Sequence, residues 1–163
     1  MYFRNDEGLI IIENLVKDIN NKADYLSEVD GKIGDGDHGI NMSKGFTLCG
    51  TRIADKKLTM SEGFKILGDT LLTEIGGSMG PLYGLFFITL SDHSEGIEKI
   101  DEHVYLNMIS SALSEIQAIG NAKKGDKTLH DTLIPAVEAF RSAVEAGKDF
   151  SSALDDLTCA ANE

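Results

Sequence analysis

Asp30, Asp35 and Asp37 stand five and two residues apart in the stretch Asp30-Gly31-Lys32-Ile33-Gly34-Asp35-Gly36-Asp37-His38-Gly39-Ile40-Asn41. Glycines separate them, and a helical pattern follows. One Asp in such a place is a turn residue or a helix N-cap. Three exceed what a cap requires. Carboxylates about 5 Å apart repel by roughly 3 kcal/mol per pair at an effective dielectric near 20. Packing gives no reason to keep them together, so a positive group belongs among them. An oxygen-only donor set favours a hard divalent cation such as magnesium. The calcium EF-hand fails on spacing: from Asp30 the third position is Lys32, and from Asp35 the twelfth is Phe46.

His38 at the helix start has three chemical roles open to it, as metal ligand, phosphate donor or general base, besides that of an ordinary hydrogen-bonded histidine. Asn41 lies one turn further and can donate on the same side. Gly76-Gly77-Ser78-Met79-Gly80-Pro81 reads either as a turn between helices or as a small-residue loop whose N–H groups face a phosphate. Pro81 suits the first position of a helix. Tyr83, Gly84 and Phe86 read as core. Gly120-Asn121-Ala122-Lys123-Lys124-Gly125-Asp126-Lys127-Thr128 nearly spells a Walker A loop, but Asp126 interrupts it and no strand precedes it. Lys127 is a phosphate contact or an ion-pair partner. His130 and Asp131 are sequence neighbours and point apart on a helix, which argues against a dyad. No residue stands out as a covalent nucleophile, so no catalytic residue is assigned.

The elements that must hold these segments are helical. Leu9, Ile12, Val16 and Ile19 share one face of a first helix; Met42, Phe46, Cys49 and Ile53 do so on a second that begins near Asp37. Phe64, Leu67, Leu71 and Ile75 mark a third. A fourth, from about Pro81 to Leu90, is apolar nearly all round and belongs in the centre. Tyr105, Ile109, Ala112, Leu113 and Ile116 give a fifth. Leu129, Leu133, Val137, Phe140 and Val144 give a sixth, with a kink expected at Pro135. Phe150, Ala153, Leu154 and Leu157 begin a seventh. The expectation is an all-α fold, an antiparallel up-and-down bundle or barrel forming one domain over 1–163. Loops before the second, fourth and sixth helices then gather at one end, where helix N-termini make an anion site.

Composition narrows the partners. The 163 residues carry a formal charge of −12, which weighs against nucleic acid and anionic membrane. The same charge repels a polyphosphate unless metal ions reverse it locally. The apolar cluster Leu9–Ile12 is broken by Glu13 and Asn14, and no run reaches the ~18 apolar residues of a membrane span. The chain reads as cytoplasmic. Cys49 and Cys159 match no metal-ligand spacing and read as reduced, buried thiols.

Taken together these segments resemble a known family. Leu26-Ser27-Glu28-Val29-Asp30, Ile33-Gly34-Asp35-Gly36-Asp37-His38-Gly39, Asn41-Met42 and Gly45 resemble the nucleotide-binding subunit L of bacterial dihydroxyacetone kinase. Gly76-Gly77, Gly80-Pro81-Leu82-Tyr83-Gly84 and Gly125-Asp126-Lys127-Thr128 follow in the family's order. The resemblance implies an up-and-down helical barrel that holds ADP or ATP through two Mg²⁺ ions. It implies metal ligation by Asp30, Asp35 and Asp37, and nucleotide contacts at His38, Gly39, Ile40, Asn41, Ser78, Met79, Gly120 and Leu129. It also implies a subunit K that holds dihydroxyacetone and, in the phosphotransferase-system branch, a phosphocarrier subunit M that recharges the nucleotide. A homodimer is a further assembly left open.

Two departures stand against the family pattern. Met79 replaces the usual Ser, and a thioether cannot donate to a phosphate. The family continues past Glu163 into a basic, Gly-rich loop and a last helix that close over the nucleotide. The expectation is therefore a barrel lacking that helix and cap. The readings left open are an incomplete chain, a more open site, or a nucleotide-binding regulatory paralogue without transfer activity.

Overall fold

A computed structural model describes residues 1–120 and 122–163. Among these residues seven α-helices carry the architecture: α1 (Leu9–Asp30), α2 (His38–Ile53), α3 (Met60–Glu74), α4 (Met79–Asp92), α5 (Glu102–Gly120), α6 (His130–Glu145) and α7 (Phe150–Asn162). Each packs on the next in sequence, and α1 also touches α3. Short connections make such neighbours antiparallel, as expected for an up-and-down arrangement.

Local chemistry sets the helix starts. Thr59 Oγ1 accepts from the Glu62 N–H while the Glu62 carboxylate accepts from the Thr59 N–H, a capping box that opens α3. Asp149 caps α7 by accepting from the Ser152 N–H at 3.0 Å. Asp101 does the same for α5, accepting from His103 and Val104. The fourth helix starts at Met79, two residues before the expected Pro81. Proline is harmless there because the first N–H groups of a helix have no intrahelical acceptor. α6 runs unbroken through Pro135.

The core is formed by Ile12 from α1, Phe46 and Cys49 from α2, Leu67 and Leu71 from α3, Phe87 from α4, Met108 and Ala112 from α5, Phe140 from α6 and Phe150 from α7. α3 and α4 cross closely, since a Cβ on Gly68 would collide with the Gly84 carbonyl oxygen and one on Gly84 with that of Gly68. A partly open cavity of about 1020 Å³ lies between the N-terminal segment and the helices, lined mostly by aromatic and aliphatic side chains such as Phe64, Phe87, Tyr105 and Phe150, with Arg4 and Glu7 among its walls. Its walls offer little to a polyanion.

The all-α expectation holds, with one small addition and one correction. β1 (Tyr2–Arg4) pairs antiparallel with β2 (Lys99–Asp101), with Phe3 opposite Ile100. Strands of three residues are too short to leave an alternating signature. Cys159 is exposed rather than buried, because it lies on the solvent side of α7, whereas Cys49 is fully buried between helices. Burial pushes the Cys49 thiol up to about 11. Native protein should therefore take up one equivalent of iodoacetamide, at Cys159, and two after denaturation; intact mass reads the count.

Candidate functional site

The acidic loop is built by backbone hydrogen bonds. As α1 ends, the Asp30 carbonyl accepts from Ile33 and Gly34, and the Gly31 N–H returns to the Ser27 carbonyl. Gly36 turns the chain with φ +78°, a conformation that side chains disfavour. One oxygen of Asp30, Oδ2, then accepts from the Gly36 N–H at 2.9 Å and the His38 N–H at 3.4 Å. Asp30 thereby steadies the first turn of α2, although the residue at the cap position is Asp37. Gly39 lies buried against α1, where a Cβ would overlap the Ala23 carbonyl oxygen. That close approach places α2's first turn, with Asp37 and His38, beside the end of α1.

Asp30, Asp35 and Asp37 each present a carboxylate oxygen within 4.8 Å of the others. Asp35 uses Oδ1 to accept from the Asp37 N–H at 3.3 Å, and Asp37 uses Oδ2 to accept from the Asn41 side-chain amide at 2.7 Å. Among the described residues each carboxylate keeps its other oxygen without a hydrogen-bond partner, and none of the three pairs with a Lys, Arg or His. A side chain at Gly34 would press on Asp30 Oδ1, so the glycine keeps open the space in front of that free oxygen. Three convergent anionic oxygens, no cationic side chain and a glycine gap fit a divalent metal.

His38 sets its ring edge-on to Tyr83, centroids 6.3 Å apart, which joins the starts of α2 and α4. The Lys44 ammonium donates to the Glu74 carbonyl at the end of α3, where the helix dipole favours a cation. These contacts bring the Gly76–Ser78 turn to the same end as the aspartates. Gly77 has φ +69°. Ser78 is exposed and makes no cap hydrogen bond. The Met79 side chain packs on the core, so at α4's N-terminus the groups available to an anion are the backbone N–H groups and the Ser78 hydroxyl. Ile40 is exposed on α2's first turn, and Leu129 is half-buried at the start of α6. Gly120 ends α5, but its surroundings, like Asn121, lie outside the described residues.

Some of this was invisible in the sequence. Asn41 bonds Asp37 directly, a contact that its spacing of four residues could have suggested. Tyr83, expected in the core, also meets the His38 ring. Lys127 is exposed, has no carboxylate at ion-pair distance among the described residues, and adopts φ +58°. His130 is buried and Asp131 reaches back into the preceding loop, so the pair is no dyad.

Fold and site together define a helical-barrel domain with a metal-type aspartate loop and free helix N-termini at one end. The profile of the DAK2 domain matches residues 32–163. The ADP-binding subunit DhaL of the PEP-dependent dihydroxyacetone kinase of Escherichia coli is 34% identical over 139 residues, 82% of this chain and 64% of that protein. The corresponding subunit of a Listeria innocua kinase is 35% identical over 81% of this chain and 62% of its own length. The dihydroxyacetone kinase of C. freundii, solved in complex with AMP-PNP and Mg²⁺, superposes with a TM-score of 0.74 at 22% identity, covering 98% of this chain and 29% of that one. The chain belongs to the DAK2 domain family. It spans somewhat under two thirds of the length of these DhaL relatives, and no helix among its described residues is long and apolar enough to cross a membrane.

The fold also carries an acid-sensitive component. The Asp131 carboxyl is held below the usual aspartate range by the Gly125 and Thr128 N–H groups, and that of Asp149 by the Ser152 N–H and hydroxyl. Depressed folded values mean stability that is present above the ordinary value of 3.8 and lost as pH falls through the lower folded values. The melting temperature should hold from neutrality to about pH 5 and drop below about pH 4. Asp149→Asn should flatten that drop in melts followed by circular dichroism.

Proposed function

We propose that this chain holds Mg-ADP or Mg-ATP at the aspartate end of its barrel and passes the terminal phosphoryl group to dihydroxyacetone on a partner subunit K. The observation that carries the reading is the trio Asp30, Asp35 and Asp37, converging without a cationic side chain. Two Mg²⁺ ions would turn a local charge of −3 into about +1, enough to hold a diphosphate against the −12 of the whole chain. Held by Asp30, Asp35 and Asp37, the metals would supply positive charge beside the phosphates and offset charge that develops during transfer.

The protein's own groups do the positioning. Asp30 fixes the α2 start and offers Oδ1; Asn41 holds Asp37 through one oxygen and leaves the other for a metal. The N–H groups at the Gly76–Met79 turn face the phosphates, with Ser78 as a hydroxyl donor. His38, held against Tyr83, donates from the α2 side, alongside Gly39, Ile40 and Asn41. Gly120 and Leu129 border the nucleoside. No nucleophile is required, because metals and alignment supply the rate enhancement. Activation of the sugar hydroxyl falls to subunit K, and a phosphocarrier subunit M recharges ADP in place. The names of the DhaL relatives, with their PEP dependence, support this branch. The setting is cytoplasmic.

A second reading, a nucleotide-binding regulatory paralogue without transfer, draws on Met79, whose core-packed thioether leaves the phosphates without a hydroxyl at that position. Mixing the chain with subunit K, subunit M, dihydroxyacetone and a phosphoenolpyruvate-driven phosphocarrier system decides between the two. Formation of dihydroxyacetone phosphate supports transfer; retained ADP with no product supports the regulatory reading.

A further inference from the structure

The loop that leads into α6 is shaped by a carboxylate outside the aspartate cluster. Asp131, second in α6, accepts from the Gly125 N–H through Oδ1 and from the Thr128 N–H at 3.0 Å through Oδ2. Asp126 closes the other side by accepting from the Lys123 N–H at 2.8 Å. Gly125 and Lys127 take φ values of +99° and +58°. A lysine adopts that left-handed backbone when its surroundings impose it. Residues 123–128 are all exposed, so no apolar anchor shapes them. Below them the chain is firm: the Thr128 hydroxyl accepts from the His130 N–H and pairs with the His130 ring, which is buried. Leu129 sits between the gripped loop and this anchor. α6 follows α5, which runs back along α4, so the loop emerges at the end that holds the Gly76–Ser78 turn and the aspartates.

We propose that Asp131 is a positioning residue: by tying Gly125 and Thr128 to the start of α6 it sets Leu129 as the wall for the nucleoside half of the ligand. The inference rests on the nucleotide-site reading above and divides the site's labour. The aspartates and their metals hold the phosphates, and the Asp131-bound loop selects for a nucleoside attached to them. Both Asp131 oxygens are engaged by backbone N–H groups, which partly offset its charge.

Calorimetric titration of the full chain with Mg-ADP and, separately, with Mg-pyrophosphate tests this division. The parent should bind both, ADP the more tightly. Asp131→Asn and Asp131→Ala should lose about tenfold in ADP affinity while pyrophosphate affinity stays within about twofold. Asp131→Ser keeps an acceptor at the helix start but cannot span both N–H groups. It should show the same selective loss, which keeps the test decisive if either other variant folds poorly. Equal losses for both ligands, or an unchanged preference for ADP, would overturn the positioning role. A parent that binds neither ligand overturns the nucleotide-site reading itself, and this inference with it.

Discussion

Asp35→Ala is expected to abolish Mg-dependent ADP binding and to leave the ligand-free chain at least as stable as the parent. Asp35 is exposed and supports the fold through one long hydrogen bond, 3.3 Å from the Asp37 N–H. Its main energetic effect without metal is repulsion of Asp30 and Asp37, whose oxygens lie within 4.8 Å of its own. Removing it relieves that repulsion and deletes one of the three anionic donors proposed for the metal. In a thermal melt the parent should gain about 2.7 kcal/mol at a ligand concentration of 100 Kd, and the variant should gain nothing. A variant stabilised by Mg-ADP as much as the parent would mean that the cluster is not the binding site. Opposite signs with and without ligand separate a site built for a cation from a loop that merely tolerates charge.

Gly39→Ala is the second large effect, and it acts through packing. A methyl group there would overlap the Ala23 carbonyl oxygen and come 2.7 Å from the Ser27 hydroxyl. The carbonyl belongs to the α1 backbone, so it yields only if the helix moves. Loss of about 3 kcal/mol is expected, at the upper end for overpacking. Because α2's first turn carries Asp37 and His38, the displacement should also spread the aspartates and weaken Mg-ADP binding. Gly76→Ala is the control. Nothing lies within 4 Å of its Cβ position, so its melt should stay within about 0.5 kcal/mol of the parent. Equal stability of the two variants would refute the close α1–α2 approach on which the site's geometry depends.

The helices were legible because their apolar residues recur at three and four, and because sequential antiparallel helices need only local contacts. Ile12, Phe46, Leu67, Ile109, Phe140 and Phe150 all fall where that spacing places them, in the core or at its edge. The aspartate trio was legible because three like charges among glycines have no packing explanation. Other features had no periodic or compositional trace. The β1–β2 pair joins residues almost a hundred positions apart through three-residue strands. Cys159 was misplaced because a thiol carries no sign of which face of α7 it occupies. Asp131 was hard to place for another reason: a side chain that bonds the preceding loop looks, in one dimension, like any polar residue of a first helical turn. Pro81 was displaced by two positions because the first turn of a helix accepts proline at several places.

The central claim is that Asp30, Asp35 and Asp37 gather around dications that tether ADP. A crystal structure of the chain grown with magnesium and ADP tests it most directly. The account predicts metal density between these carboxylates, with the diphosphate on the far side of the metals and the adenosine leading toward Leu129. Nucleotide bound elsewhere, or the three side chains turned away from a metal-free gap in the presence of saturating Mg-ADP, would contradict it.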